Sequence, residues 1–251
     1  MTDIATATAR LLQARREHQT QPAPALADEA AAYAVQDQVA RALAWFGDTP
    51  PRHWKSGGPS REQALVHAPL PPAGVWPSPA QAADWRFSLR GIEAEVALRL
   101  REPVDAARAA ALDAAGARAL IDAMCVSIEI VDSRWVEGLD AAPLAKLADL
   151  LCHGALVLGP WVAFDAGRDW SAQACHVRIG THAPQIFRGT HSLADPAFVL
   201  LAWLRHATRN GAVLAAGSVV TTGTWCGVLH AQAGDAVEVA FDGIGVASVR
   251  L

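Results

Sequence analysis

An α+β fold built around a mixed sheet is the architecture that this 251-residue sequence predicts. Three features lead there. Apolar residues recur at helical spacing near the start of the chain; period-two alternation takes over at GIEAEVALRL and AVEVAF; and helices gather at the front with strands at the back, in no βαβ alternation. The length suffices for one large domain with a sizeable core. We expect a helical segment over residues 1–50 packed on a body over 51–251, the two forming one structural unit.

Ile4, Ala7 and Leu11 mark a helix over 2–19, and Leu26, Ala30, Tyr33, Ala34, Val39 and Leu43 a second over about 27–46, with QPAP between them. Residues 47–82 are rich in Pro and Gly and predict loops with one short helix near Ser60–Val66. A strand over about 86–100 follows, then an alanine-rich helix over about 105–123 broken or bent near Gly116. CVSIEIVDSRW, 125–135, predicts a strand entering a polar turn. Pro143–Cys152 predicts a helix, GALVLGPWV and ACHVRIG two strands, and Asp195–Asn210 a helix with Gly211 placed for a left-handed cap. SVVTTG, AVEVAF and GVASVRL complete the chain as strands, the last two joined in a hairpin through Asp242 and Gly243. The sequence contains no internal repeat, GxGxxG or P-loop.

Hydrophobic residues make up 52% and charged residues 18%, a globular balance. A net charge of -4 with no basic patch argues against nucleic acid and against an anionic membrane surface as partners. The N-terminus lacks a basic start followed by an apolar run, and no stretch of about 18 apolar residues follows, so we expect a cytoplasmic protein. Cys125, Cys152, Cys175 and Cys226 form no zinc-type cluster and predict reduced, mostly buried thiols.

The chemistry starts at GIEAEVALRL. In a strand, Glu93, Glu95, Ala97 and Arg99 share one face while Ile92, Ala94, Val96 and Leu98 share the other. Two carboxylates on one face of an apolar strand fit a solvated edge strand, and base rates favour that for charged residues. Glu129, set between Ile128 and Ile130 in a second apolar strand, shifts the balance. Carboxylates embedded in two apolar strands are costly unless paired or bound to a cation. Three of them, with no Cys or His ligand nearby, make a hard oxygen site of the kind that suits Mg²⁺ or Mn²⁺. Asp132 and Arg134, just after Glu129, fit either an ion pair that orients that glutamate or a surface turn.

These residues carry a resemblance. GIEAEVALRL, SIEIVDSRW, the WKSGG loop and the tail AGSVVTTGTWCG followed by AGDAVEVAFDGIGVASVRL resemble the fumarylacetoacetate hydrolase superfamily, in its branch of 2-hydroxypenta-2,4-dienoate (2-keto-4-pentenoate) hydratases and 4-oxalocrotonate decarboxylases. The resemblance implies a mixed β-roll with N-terminal and flanking helices, and Mg²⁺ or Mn²⁺ held by Glu93, Glu95 and Glu129. It implies a lyase, a hydratase first, acting on a small 2-oxo or 2-hydroxydienoic acid in aromatic catabolism, with 2-oxo-3-enedioate decarboxylation or acylpyruvate C–C hydrolysis as alternatives. A homo-oligomer, or a catalytically silent partner of a related decarboxylase or hydratase subunit, belongs to the same implication.

By the same resemblance Lys55 matches the lysine of the family's KxG loop, placed for proton transfer or charge stabilisation, and Thr222 and Gly223 match its substrate-side TG turn. The sequence has two lysines against nineteen arginines, so a lysine at 55 is a choice, and lysine loses its proton far more readily than arginine. Two stretches depart from the pattern. A PDYG-like loop reads PPAG at 71–74, with Pro72 in place of the acid, and a DNASxG-like segment reads DLLCHG at 149–154. His153, whose imidazole titrates in the useful range, is the candidate for the lost acid or base, with His53 a weaker one.

Overall fold

The computed structural model describes residues 3–251. In chain order its helices are α1 (Asp3–Glu17), α2 (Glu29–Ala42), α3 (Ala106–Ala111), α4 (Ala114–Ala119), α5 (Pro143–Ala148) and α6 (Leu200–Thr208). Its strands begin with β1 (His53–Gly57), β2 (Val66–Pro69), β3 (Val75–Pro77), β4 (Ala80–Gln81), β5 (Gly91–Leu100), β6 (Ile121–Val131) and β7 (His153–Leu158). They continue with β8 (Val162–Ala163), β9 (Ala174–Ile179), β10 (Gln185–Arg188), β11 (Val219–Thr221), β12 (Leu229–His230), β13 (Ala236–Phe241) and β14 (Gly245–Arg250).

The strands form two sheets. The larger runs β2-β1-β11-β5-β6-β7-β3, with β12 pairing β5 and β8 pairing β6; the smaller runs β10-β9-β13-β14-β4. Both are mixed, because β1 runs parallel to β11, β3 to β7 and β14 to β4, while the other ladders are antiparallel. The predicted α+β class with a mixed sheet therefore holds. Ile92, Ala94, Val96, Leu98, Ile128 and Ile130 are buried in one cluster with Val177, Val237, Val239 and Phe241 of the smaller sheet and with Trp203 and Leu204 of α6. Burying each such aliphatic side chain contributes about 1.5–3 kcal/mol.

The N-terminal helices sit on a separate cluster. Ala7 and Leu11 of α1 and Ala32, Val35 and Val39 of α2 pack with Trp135, Ala145, Leu147 and Ala148 around α5. Asp28 caps α2 by accepting from the Ala31 amide at 2.8 Å. Of the predicted first helix, residue 2 lies outside the described residues.

Several boundaries differ from expectation for tertiary reasons. No helix forms near Ser60–Val66; residue 66 instead opens β2, which takes its ladder from β1 in the register Lys55↔Ala68. A single helical turn or two cannot compete with that pairing. The strand foreseen from residue 86 starts at Gly91, because Asp132 Oδ1 captures the Ser88 and Leu89 amides at 2.8 Å each and keeps them out of the ladder. The helix over 105–123 breaks at Leu112–Asp113, where Asp113 caps the Gly116 amide at 2.7 Å; Gly116 lies inside α4, and β6 begins at Ile121. The helix from Pro143 ends at Ala148, and Leu150, Leu151 and Cys152 all follow with positive φ (53°, 58° and 59°). The last hairpin closes through three residues, 242–244, with Phe241 opposite Gly245.

Candidate metal centre

Strand register assembles the site. In the β5–β6 ladder Glu93 lies opposite Glu129 and Glu95 opposite Ser127, so all four side chains leave the same face of the larger sheet. Thr221 of β11 pairs with Ala97, and Lys55 of β1 pairs with Thr221, which adds both to that face. Each glutamate offers an oxygen, and these oxygens all lie within 4.8 Å of one another. β5 is flanked by β11 and β6, which excludes the solvated edge-strand reading of its glutamates.

The face is dry and crowded with negative charge. Glu95 is 2% exposed and Glu129 fully buried, while Glu93 is half-buried at the rim. Lys55 Nζ donates to Glu129 Oε1 at 2.6 Å and to the Leu151 carbonyl at 3.1 Å. His153 Nδ1 lies 3.1 Å from the same Glu129 oxygen. Burial pushes the Glu93 carboxyl up to about 8, with Lys55 opposing and Glu129 and Glu95 reinforcing. Burial and the Glu129 charge likewise push Glu95 up to about 7, against Lys55 and the hydrogen bonds from Thr221 and Gly223. Burial also disfavours the Glu129 charge, but Lys55 and His153 outweigh it and hold that carboxyl below its usual range. Lys55 is raised for the matching reason: burial works against its ammonium, and the three glutamates more than compensate.

With all three carboxyls ionised, the one ammonium leaves two negative charges uncompensated, the charge of one divalent cation; in its absence Glu93 and Glu95 hold their protons instead. Glu129 Oε2 is buried and has no hydrogen-bond partner, an orphan that a cation would satisfy. The donor set is all oxygen, which suits a hard ion. A divalent metal therefore fits the residues present. The three glutamates thus favour the ammonium form of Lys55, which donates to Glu129.

The other candidate residues divide. Gly223, at φ +105°, gives its amide to Glu95 Oε2 at 3.0 Å, a conformation that favours glycine. Thr222 points elsewhere: it is fully buried and donates to the Val96 carbonyl at 2.7 Å. Thr221, which the sequence reading passed over, donates to Glu95 Oε2 and bonds Ser127 Oγ at 3.0 Å. Its place on the face follows from its pairing with Ala97, which shares the face of Glu95, and that register is set by the fold and not by any local pattern.

Asp132 and Arg134 do not orient Glu129 by contact. Asp132 holds the Ser88 and Leu89 amides, and its other oxygen lies a loose 3.8 Å from Arg134. Arg134 commits to Asp149, with Nε at 2.7 Å from Oδ1 and its backbone amide at 2.9 Å from Oδ2. Asp149 is fully buried, takes a third partner in Arg15 at 3.1 Å, and anchors the turn that follows. Three consecutive non-glycine residues in the left-handed region cost roughly 1–2 kcal/mol each, and here they aim Leu151 O at Lys55 and set His153 against Glu129. The influence of Arg134 on the metal face thus runs through Asp149 and this turn. His53 is half-buried, with no hydrogen-bond partner at Nδ1, and takes no part in the carboxylate cluster.

Known proteins share this arrangement of elements. The chain is 29% identical over 230 residues to 2-keto-4-pentenoate hydratase 1 of Dechloromonas aromatica, covering 88% of this chain and 85% of that protein. It superposes on 4-oxalocrotonate decarboxylase from Pseudomonas putida G7 complexed with magnesium and adipate (TM-score 0.81, 17% identity, 98% and 96% of the two chains). It also superposes on fumarylpyruvate hydrolase from Pseudomonas aeruginosa in complex with Mn²⁺ and pyruvate (TM-score 0.56, 15% identity, 80% and 89%). At those identities the likeness is one of fold. Residues 62–251, which include all three glutamates, match the model of the fumarylacetoacetate (FAA) hydrolase C-terminal family, and the chain belongs to that family.

Proposed function

We propose that this protein is a Mg²⁺- or Mn²⁺-dependent lyase that adds water to a small 2-hydroxydienoic or 2-oxo acid in the breakdown of aromatic compounds. The observation that carries this reading is the buried face on which Glu93, Glu95 and Glu129 meet beside Lys55. The hydratase relative, the highest in identity among those described, supports hydration as the reaction. Glu93, Glu95 and Glu129 would hold the metal, which supplies a Lewis acid for the oxygens of an enolising acid.

The chain's own groups supply proton handling. Lys55 holds a proton at Nζ within reach of the carboxylate cluster and so serves as a positioned acid and donor. The ionised Glu129 only accepts, so the His153 proton sits at Nδ1 and the lone pair lies at Nε2, the atom through which His153 would act as a base. Gly223 and Thr221 fix Glu95 through its Oε2. Cytoplasmic location and a homo-oligomeric state, alone or with a related decarboxylase or hydratase subunit, belong to the same proposal. Among the described residues no helix is long and apolar enough to cross a membrane.

The test is turnover by the purified protein with Mg²⁺. Incubated with 2-hydroxypenta-2,4-dienoate, the protein should consume the dienoate by water addition, and Lys55→Met should lower the rate about 10²–10⁴-fold while the divalent ion still binds. Release of CO₂ from a 2-oxo-3-enedioate, with no hydration, would reassign the reaction as decarboxylation. Cleavage of an acylpyruvate would reassign it as C–C hydrolysis. No turnover on any of the three, with the metal bound, would leave the silent-subunit reading.

A further inference from the structure

A cleft of about 670 Å³ lies between the C-terminal end of α1, residues 83–90 and residues 132–134, and none of the three glutamates lines it. Its walls carry Arg15, Arg86, Arg90 and Arg134, with His18 beside them. Two carboxylates, Asp84 and Asp132, also face it, and Asp149 lies behind Arg134. Asp132 is occupied by two backbone amides, and Asp149 is shared by two guanidinium groups, those of Arg15 and Arg134. Four arginines therefore face three carboxylates, two of them already engaged, and the excess is positive before His18 is counted.

The sharing is strained in charge. Burial and the neighbouring Arg134 pull the Arg15 guanidinium down to about 9, and its Nε is buried with no hydrogen-bond partner. The side chains of Arg86 and Arg90, at the rim, make no hydrogen bond or ion pair in the described structure, although the Arg90 carbonyl accepts from the Ala231 amide at 3.1 Å, and Arg90 stands at φ +63°, in the left-handed region that a non-glycine residue enters at a cost. Trp85 and Phe87 add an apolar wall. Guanidinium forks bind a carboxylate through two parallel hydrogen bonds, and the aromatic wall favours an anion that carries a carbon chain over a bare inorganic one.

We infer that this arginine-lined cleft is a second anion site that takes the carboxylate of a small organic acid. It begins at Asp132, three residues along an extended chain from Glu129 and so about 10 Å away. The carboxylate could be the tail of an acid whose head lies on the metal face, or belong to a separate acid. The binding itself does not rest on the proposed metal or on turnover.

The test uses adipate as probe, titrated calorimetrically into the full-length protein freed of divalent ions, in low salt. We expect one adipate per chain, at least tenfold weaker binding in the rim variant Arg86→Ala/Arg90→Ala, and affinity within about twofold of wild type in Glu95→Gln. With Mg²⁺ restored, one equivalent of adipate sensitive to both the rim and the metal identifies a substrate tail, and a second equivalent identifies a separate acid. No binding by the metal-free protein, unchanged binding by the rim variant, or competition by inorganic phosphate as strong as by adipate would overturn the inference.

Discussion

Strands β5 and β6 present two faces built from neighbouring residues with opposite physics. On one, Ile92, Ala94, Val96, Ile128 and Ile130 are buried against the smaller sheet and α6 and supply cohesion. On the other, Glu93, Glu95 and Glu129 are brought together at some cost, since burial pushes two of these carboxyls up to about 8 and about 7. One face stabilises the fold and the other draws on that stability to hold charge at a chosen place. The same ladder does both because side chains alternate, so a rigid apolar face fixes the spacing of the polar one.

The comparison breaks most sharply if each face is damaged alone. Ile128→Ala should cost about 2–5 kcal/mol in unfolding free energy, read by denaturant titration, while the folded fraction keeps its Mn²⁺ affinity within a few-fold. Glu93→Gln should do the reverse, lowering Mn²⁺ affinity at least about 100-fold and leaving the metal-free melting temperature unchanged or higher, because it removes a carboxyl that burial disfavours. Loss of stability without loss of metal in the second variant would dissolve the distinction.

Metal and pH sharpen it next. At a free Mn²⁺ concentration 100-fold above its dissociation constant, the ion should stabilise the wild type by about 2.7 kcal/mol. Glu93 and Glu95 hold protons in the fold well above the ordinary carboxylate value of 4.5, so between that pH and about 8 these two carboxyls bind more protons in the folded chain than in the unfolded one. Metal-free stability should therefore fall as pH rises from about 6.5 to about 8; below that, His53, His67, His153, His191 and His206, all held below their usual range, give up protons on folding and oppose the slope. Mn²⁺ must displace those protons, so its affinity should rise over the same range; thermal melts with and without metal from pH 5 to pH 9 check both slopes.

The smallest contrast lies between adjacent threonines. Thr221→Val removes the hydroxyl that fixes Glu95 and should weaken metal binding about 10- to 100-fold. Thr222→Val removes a bond to the Val96 carbonyl and should cost about 1 kcal/mol of stability with no change in metal affinity.

What could be read from the sequence follows the same division. Regular alternation announced β5, β9, β13 and β14, and the charged interruptions in GIEAEVALRL and SIEIVDSRW announced the carboxylate cluster. Alanine-rich ARALIDAM carries no clear period, so the start of β6 at Ile121 was decided by pairing with β5 and remained hidden. The left-handed run at Leu150, Leu151 and Cys152 contains no glycine to betray it, and Asp149, its anchor, gains meaning only from Arg15 and Arg134, 134 and 15 residues away. Asp132 and Arg134 were legible as important and illegible as to whom they serve, because partners far apart in sequence leave no local signal.

The central claim is that Glu93, Glu95 and Glu129 together hold one divalent cation. A calorimetric titration of Mn²⁺ into metal-free wild type and Glu95→Gln at pH 8 addresses it most directly, since at that pH the carboxyls can release their protons. The account predicts one ion per chain in the wild type and no measurable binding in the variant. Equal affinity in both would contradict it.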